Sequence, residues 1–176
     1  MNLPNKITML RIVLIPFFVF FMLTEFVPYS KYIAAAVFMI ASLTDTLDGY
    51  LARKYQLVSN FGKFMDPLAD KLLVCSALVC FVALPDNPMP AWVVIIIISG
   101  FRLVASDSGV VIAASWWGKI KTVVQMIMSV LLILNFDWEW MNILEYIFIY
   151  AALALTVISL ADYLWKNWKV LDDGNM

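Results

Sequence analysis

Charged residues are scarce in this sequence, and histidine is missing altogether. Of its 176 residues, 14% are charged and 64% are hydrophobic, whereas soluble domains average about 25% charged and about 45–50% apolar residues. The absence of histidine excludes catalysis by an imidazole base and zinc sites with histidine ligands. The two cysteines, Cys75 and Cys80, lie in one apolar run. We interpret them as small buried side chains, not as a disulfide or a metal pair.

The hydrophobic excess predicts an integral membrane protein, because one soluble core of this size cannot bury it. Six apolar stretches are present: Ile12–Phe26, Tyr32–Leu43, Leu72–Leu84, Ala91–Phe101 continued by Val110–Trp117, Val123–Phe136 and Tyr146–Ala161. A membrane-spanning helix needs about 20 residues, so several stretches span only if their polar ends, Ser42–Arg53 and Asp66–Lys71, are also helical. We therefore predict an all-α fold of six transmembrane helices in a single domain, residues 1–176. A short interfacial segment, Met1–Leu10, leads into the first span.

The basic residues predict the orientation of the six spans. Only Lys31 falls on one side of the membrane, and the other side carries Lys6, Arg11, Arg53, Lys54, Lys63, Lys71, Lys119, Lys121, Lys166 and Lys169. Arg102 joins that side if the fourth helix is bent or partly interfacial. By the positive-inside rule, both termini are cytoplasmic. We expect a multi-pass protein of the cell membrane. The net charge of −1 gives no reason to expect a nucleic-acid partner.

Four aspartates stand out in this apolar chain. Asp45 and Asp48 are three positions apart and Asp66 and Asp70 are four apart, so each pair lies on one face of a helix. If the two helices face each other, four carboxylates meet at the cytoplasmic edge and repel one another unless cations separate them. Oxygen ligands suit Mg²⁺ or Mn²⁺, and two such ions typically serve displacement at phosphorus. The spacing therefore predicts a two-metal site for a phosphate-bearing substrate.

The residues between the aspartates fit such a site. Gly49 and Gly62 leave the helix surface open to a phosphate or nucleotide, and Arg53 offers a cationic fork. The alternative is that the aspartates form membrane-edge salt bridges with Arg53, Lys63 and Lys71. We favour the site because carboxylates within membrane segments are usually functional.

The pattern Asp45-x₂-Asp48-Gly49-x₂-Ala52-Arg53-x₈-Gly62-x₃-Asp66-x₃-Asp70 resembles the signature of the CDP-alcohol phosphotransferase family. The resemblance implies that the four aspartates bind two Mg²⁺ or Mn²⁺ ions and that Asp70 also acts as the catalytic base. It further implies a homodimer. The CDP-binding residues it implies are Asp45, Asp48, Gly49, Ala52, Arg53, Gly62 and Asp66.

Other segments are similar to the phosphatidylglycerophosphate synthase branch of that family. They are Asn2–Arg11 with the following Pro16, Ser99–Ala105 and Trp117–Met126. This similarity implies transfer of a phosphatidyl group from CDP-diacylglycerol to glycerol 3-phosphate, with phosphatidylglycerol phosphate and CMP as products. The candidates for binding the acceptor phosphate are Arg102, Lys119, Lys121, Arg11 and Thr8. Lys119 and Lys121 diverge on a regular helix, so joint contact with one phosphate needs a loop or helix start at Gly118.

Several alternatives remain open at the level of sequence. Inositol phosphate, serine and a phospholipid are alternative acceptors, and a cation transporter is an alternative use of four aspartates. Lys119 and Lys121 suit anionic lipid headgroups as well, and Thr8 suits a helix cap. The chain also departs from the synthase pattern, in which we expect an Arg-Glu pair a few residues before the Ser-Gly-x-Arg segment. Here the corresponding stretch, Val93–Ile98, carries no charged residue, and the stretch between Pro90 and Ser99 is several residues short. The fourth span is correspondingly brief.

Overall fold

The protein is a bundle of α-helices. The computed structural model describes residues 3–24, 26–54, 60–85, 88–105, 116–136 and 138–166, and no strand occurs among them. The helices are α1 (Leu3–Leu23), α2 (Ser30–Lys54), α3 (Asn60–Ala83), α4 (Ala91–Ala105), α5 (Trp116–Leu134) and α6 (Glu139–Lys166). The prediction of an all-α fold is confirmed.

The polar ends of the second and third apolar stretches are helical, as predicted. α2 continues through the aspartates to Lys54, and α3 begins at Asn60, before Asp66. Continuous helix satisfies the backbone hydrogen bonds of these polar segments within the segments themselves, which a membrane environment requires. The aspartates therefore project from regular helices and not from loops.

Two predicted boundaries are wrong. Residues 3–10 do not form a separate interfacial segment, because α1 runs without interruption from Leu3 to Leu23. Pro4 does not prevent this, since a residue in the first helical turn needs no backbone N–H donor. Trp116 and Trp117 belong to α5 and not to the end of the fourth stretch. Residues 106–115 of that stretch lie outside the described part of the chain.

The helices have the composition and surface of membrane spans. Asn5–Leu23, Trp116–Leu134 and Glu139–Asp162 are long and apolar enough to cross a bilayer, and Ala91–Gly100 is a shorter apolar helix. Large apolar side chains face outward along the bundle, with Phe17, Val79 and Ile95 each more than half exposed. Exposed apolar surface on this scale calls for lipid. The chain is a multi-pass membrane protein.

Helix α1 lies at the centre of the packing that matters for the candidate site. It packs against both α2 and α3, while α5 and α4 pack against α6. Between α1 and α2, the rings of Phe18 and Phe38 are fully buried with centroids 5.5 Å apart. This apolar contact fixes α1 beside the two helices that carry the aspartates.

The loop that follows α5 lies at the end of the bundle where α2 begins. Asn135 follows the last residue of α5 and has a φ of 38°, a left-handed conformation that asparagine tolerates at helix ends. Its carbonyl oxygen accepts a hydrogen bond from Nζ of Lys31, at the start of α2, at 3.5 Å. α5 therefore begins at the opposite end, where α2 finishes and α3 starts.

Candidate active site

The first helix carries two polar side chains that contact the aspartates directly. Thr8 and Arg11 are three positions apart in α1 and so share one face. Arg11 is fully buried, and its Nη1 donates to Oδ1 of Asp45 in α2 at 2.6 Å. This is a short, charge-assisted hydrogen bond. A guanidinium buried among apolar helices requires an opposite charge, and Asp45 supplies one.

Thr8 binds the second aspartate-bearing helix. Its hydroxyl donates to Oδ1 of Asp66 in α3, also at 2.6 Å, and the Thr8 side chain is fully buried. One helical turn of α1 thus holds one aspartate from each of the two predicted pairs. The arrangement joins α2 and α3 through α1, at the end of the bundle where α2 finishes and α3 starts.

Asp70 belongs to the same neighbourhood. It lies one turn after Asp66 on α3, is partly buried, and is close enough to Asp45 and Arg11 for their charges to interact. The structure therefore brings three of the predicted aspartates, Asp45, Asp66 and Asp70, to one end of the bundle. Carboxylates gathered in this way repel one another, and the guanidinium of Arg11 offsets part of that repulsion.

The remaining signature residues are placed by their backbone only. Asp48, Gly49, Ala52 and Arg53 occupy the last turns of α2, but their side chains lie outside the described residues. Gly62 is buried in the first turn of α3. Asp48 follows Asp45 by one turn, toward the end of α2.

The donor set is suited to hard divalent cations. Asp45, Asp66 and Asp70 offer only oxygen ligands, which is what Mg²⁺ and Mn²⁺ prefer. Among the side chains that the structure describes, no three acidic groups form a ready-made metal cluster. Asp48 is not one of those side chains, and Oδ1 of Asp45 is engaged by Arg11. A metal at this site would therefore compete with Arg11 for Asp45.

The two candidate acceptor lysines on α5, Lys119 and Lys121, differ in their surroundings. Lys119 is exposed, and its Nζ lies 5.2 Å from the centre of the Trp116 ring. Lys121 is 5% exposed and lies close enough to Lys71 and Cys75 of α3 for electrostatic interaction. Both lysines are on the regular helix α5, so their side chains diverge. The backbone of Arg102 lies in α4, and its side chain is outside the described residues.

Sequence reasoning singled out Lys121 but missed the buried polar seam between α5 and α6 to which it belongs. On α5 it contains Lys121, Gln125 and Ser129, which recur every fourth residue and are all buried. On α6 it contains Thr156, which accepts a hydrogen bond from Nε2 of Gln125 at 3.3 Å. The spacing of the three α5 residues was the available signal. It marks one polar face on a helix that is otherwise apolar.

Comparison with known proteins assigns the family. Residues 1–158 match the model of the family described as CDP-alcohol phosphatidyltransferase. The chain is also similar to proteins named CDP-diacylglycerol–glycerol-3-phosphate 3-phosphatidyltransferase. It is 45% identical to the one from Bacillus subtilis, with 99% of each chain covered. It is 41% identical to the one from Haemophilus influenzae, with 93% of this chain and 91% of the relative covered.

The alignment with the Bacillus subtilis protein also bears on the length of the chain. It extends over 193 positions, more than the 176 residues present here. The relative therefore contains residues that have no counterpart in this chain. The similarity nevertheless runs from end to end, and the whole aspartate signature lies inside the matched region. The chain belongs to the CDP-alcohol phosphatidyltransferase family.

Proposed function

We propose that this protein transfers the phosphatidyl group of CDP-diacylglycerol to glycerol 3-phosphate, giving phosphatidylglycerol phosphate and CMP. The observation that carries the proposal is the group of aspartates held at one end of the bundle by Thr8 and Arg11. The relatives with similarity along the whole chain are named for this reaction. The enzyme is thus a phosphatidyltransferase of phospholipid biosynthesis.

The aspartates have two tasks in this proposal. Asp45, Asp48, Asp66 and Asp70 would hold two Mg²⁺ or Mn²⁺ ions, which when bound neutralise the pyrophosphate of the CDP group and polarise the phosphorus under attack. Gly49, Ala52, Arg53 and Gly62 would line the CDP side of the site. The carboxylate of Asp70 takes the proton from the free hydroxyl of the acceptor. The hydroxyl oxygen then bonds to the phosphorus that carries diacylglycerol, and the bond from that phosphorus to CMP breaks.

The acceptor phosphate requires a cation close to Asp70. Lys121 is the best-placed described candidate, because it is buried and lies near Lys71, the residue after Asp70. Arg102 and Lys119 remain further candidates. Arg11 and Thr8, which the sequence suggested for the acceptor, contact Asp45 and Asp66 instead. We therefore assign them to positioning the carboxylates.

The membrane arrangement forms part of the same proposal. All six helices cross the cell membrane, both termini are cytoplasmic, and the aspartates face the cytoplasm, where glycerol 3-phosphate and CMP are soluble. Residues 1–176 form one domain, and two copies form a homodimer. In this arrangement the end of the bundle with Lys31 and Asn135 faces outward, and the end where α2 finishes and α3 starts faces inward.

The decisive experiment is an acceptor assay with the purified full chain in detergent. CMP release from CDP-diacylglycerol is measured with glycerol 3-phosphate, inositol phosphate, serine or phosphatidylglycerol, each with Mg²⁺, with Mn²⁺ and with a chelator. We expect CMP release with glycerol 3-phosphate and with none of the other three acceptors, and only when a divalent cation is present. Equal or faster release with another acceptor would reassign the substrate. Ion flux in liposomes without any CMP release would indicate a transporter instead.

A further inference from the structure

The side-chain amide of Gln125 makes a hydrogen bond through its nitrogen, whereas its oxygen makes none with the residues that the structure describes. The side chain is fully buried between α5 and α6. Its Nε2 donates to Oγ1 of Thr156 at 3.3 Å, whereas its Oε1 has no hydrogen-bond partner among the residues that the structure describes. Buried polar atoms are nearly always paired, and above all within a membrane protein, where water cannot replace the partner. An acceptor oxygen in this position therefore calls for a donor.

The orientation of this amide follows from its neighbours. The hydroxyl of Thr156 donates its proton to the carbonyl oxygen of Ala152 at 2.7 Å. With its proton committed, Oγ1 of Thr156 can only accept a hydrogen bond from Gln125. Nε2 must then face Thr156, and Oε1 must face away from it. Ser129 leaves this orientation unchanged, since its hydroxyl donates to the backbone carbonyl of Gln125 at 2.8 Å.

Gln125 lies one helical turn from the cation that we assign to the acceptor phosphate. Gln125 follows Lys121 by four residues on the same face of α5, a rise of about 6 Å. Gly100 of α4 lies close to the side chains of Lys121 and Thr156. A Cβ at Gly100 would lie 3.6 Å from Nζ of Lys121 and 2.7 Å from Cγ2 of Thr156. The missing side chain thus lets α4 approach the ammonium group of Lys121 and the side chain that orients Gln125.

Gln125 also lies about as far along α5 as Asp70 lies along α3. It is the tenth residue of α5, and Asp70 is the eleventh residue of α3. Both helices start from the inner end of the bundle, so the two residues lie about 14 and about 15 Å along their helices. Lys121, which is on the same helix as Gln125, lies near Lys71, the residue that follows Asp70 on α3. A small acceptor with its phosphate on Lys121 and its reacting hydroxyl at Asp70 has its middle carbon between these two contacts.

We propose that Oε1 of Gln125 accepts a hydrogen bond from the non-reacting secondary hydroxyl of the acceptor, and so selects a vicinal diol phosphate. The inference rests on the proposed function and adds a specificity residue to it. The phosphate and the secondary hydroxyl of glycerol 3-phosphate are on adjacent carbons, which matches Lys121 and Gln125 on adjacent turns. Thr156 acts as a positioning residue, because it fixes the direction of the amide.

The test compares two acceptors that differ only in that hydroxyl. CMP release by the full chain in detergent is measured with glycerol 3-phosphate and with 3-hydroxypropyl phosphate, which lacks the secondary hydroxyl. We expect the wild type to prefer glycerol 3-phosphate by about 5- to 150-fold in kcat/KM, the range for leaving one buried acceptor unpaired. Gln125→Met should lower kcat/KM for glycerol 3-phosphate to the level of the analogue and leave the value for the analogue unchanged.

Two further variants separate recognition from packing. Thr156→Val keeps the shape beside Gly100 but removes the acceptor that orients the amide, so it should also reduce the preference. Ser129→Ala removes a hydroxyl one turn deeper and should leave the preference intact. If Gln125→Met lowers kcat/KM equally for both acceptors, Gln125 serves packing alone and the inference is wrong.

The wild type alone also provides a test that needs no variant. Equal use of both acceptors by the wild type overturns the inference while leaving the proposed function standing. Absence of any CMP release with glycerol 3-phosphate overturns both.

Discussion

Arg11 of α1 and Asp45 of α2 form an ion pair with 2.6 Å between Nη1 and Oδ1, and the arginine side chain has no exposed surface. The pair joins a helix outside the aspartate signature to the first aspartate within it. Its consequence is that the cluster carries its own counter-charge before any metal binds. Thr8, one turn earlier, makes the corresponding contact with Asp66.

Removing the guanidinium should destabilise the protein most when metal is absent. We expect Arg11→Met to lower the free energy of unfolding by about 1–3 kcal/mol in the presence of a chelator. This loss is smaller than the loss for breaking a fully buried ion pair, because Asp45 is about one-third exposed. Thermal unfolding in detergent measures this, with and without Mn²⁺. Because Mn²⁺ no longer competes with Arg11, it should raise the midpoint more in the variant than in the wild type.

Lys6→Met provides the matched control for that experiment, since Lys6 is an exposed cation on the same helix. It should unfold like the wild type under both conditions. An unchanged midpoint for Arg11→Met in chelator would show that the ion pair does not stabilise the cluster.

The hydrogen bond from Thr8 should matter for turnover. Thr8→Val keeps the shape of the side chain but removes the donor to Asp66, so that carboxylate loses its fixed orientation. A hydrogen bond to a charged group contributes about 1.5–3 kcal/mol, so we expect kcat/KM for CMP release to fall roughly tenfold or more. Thr24→Val is the control, because the exposed Thr24 hydroxyl donates only to the carbonyl oxygen of Phe20, at the far end of α1. Similar losses in both variants would rule out a specific role for Thr8.

The proposed base makes a sharp prediction about Asp70. Asp70→Asn keeps the size of the side chain but cannot take the proton, so turnover should fall by at least about 10²–10⁴-fold while the protein still inserts and folds. CMP release and thermal unfolding are measured on the same preparation. Glu139→Gln, an exposed change at the start of α6, should leave both unaffected. Substantial activity in Asp70→Asn would remove Asp70 from the base role.

Two glycines should respond differently to an added methyl group. Gly100→Ala places its Cβ 2.7 Å from Cγ2 of Thr156, and Thr156 cannot turn away without losing its hydrogen bond to Ala152. We expect a loss of about 1–3 kcal/mol from this overpacking. At Gly118 the nearest atom, Oγ of Ser159, would be 3.9 Å away. Gly118→Ala should therefore leave stability unchanged or raise it slightly, because alanine is the better helix former. Midpoints of thermal unfolding in detergent compare the two, and equal effects would contradict the proposed close approach of α4 to α6.

The proposed orientation can be tested with single cysteines in a chain whose Cys75 and Cys80 are replaced. Tyr29 and Trp165 are both strongly exposed and lie at opposite ends of the bundle. In intact cells, a maleimide that cannot cross membranes should label Tyr29→Cys, and should label Trp165→Cys only after permeabilisation. The reverse pattern would place the aspartates on the outer face.

Local sequence features were sufficient for the class of fold. An apolar content far above that of soluble domains requires lipid, and helix is the economical way to satisfy the backbone there. Extension of α2 and α3 through their polar ends followed from the same reasoning, since the apolar runs alone were too short to span. The sequence prediction separated residues 1–10 from the first span and so missed the continuity of α1. A proline in the first turn, such as Pro4, does not interrupt a helix.

By itself, the sequence determined that this is an all-helical membrane protein with two aspartate pairs, each on one helix face, because periodicity along a helix is a local property. Only the tertiary structure decided what those faces meet. Thr8 reaches Asp66 across 58 positions and Arg11 reaches Asp45 across 34, and such contacts depend on how α1 packs between α2 and α3. The same holds for Gln125, whose unsatisfied oxygen becomes visible only once α6 places Thr156 beside it. The physical reason is that a side chain's position along its own helix is local, whereas its partner is set by the packing of other helices.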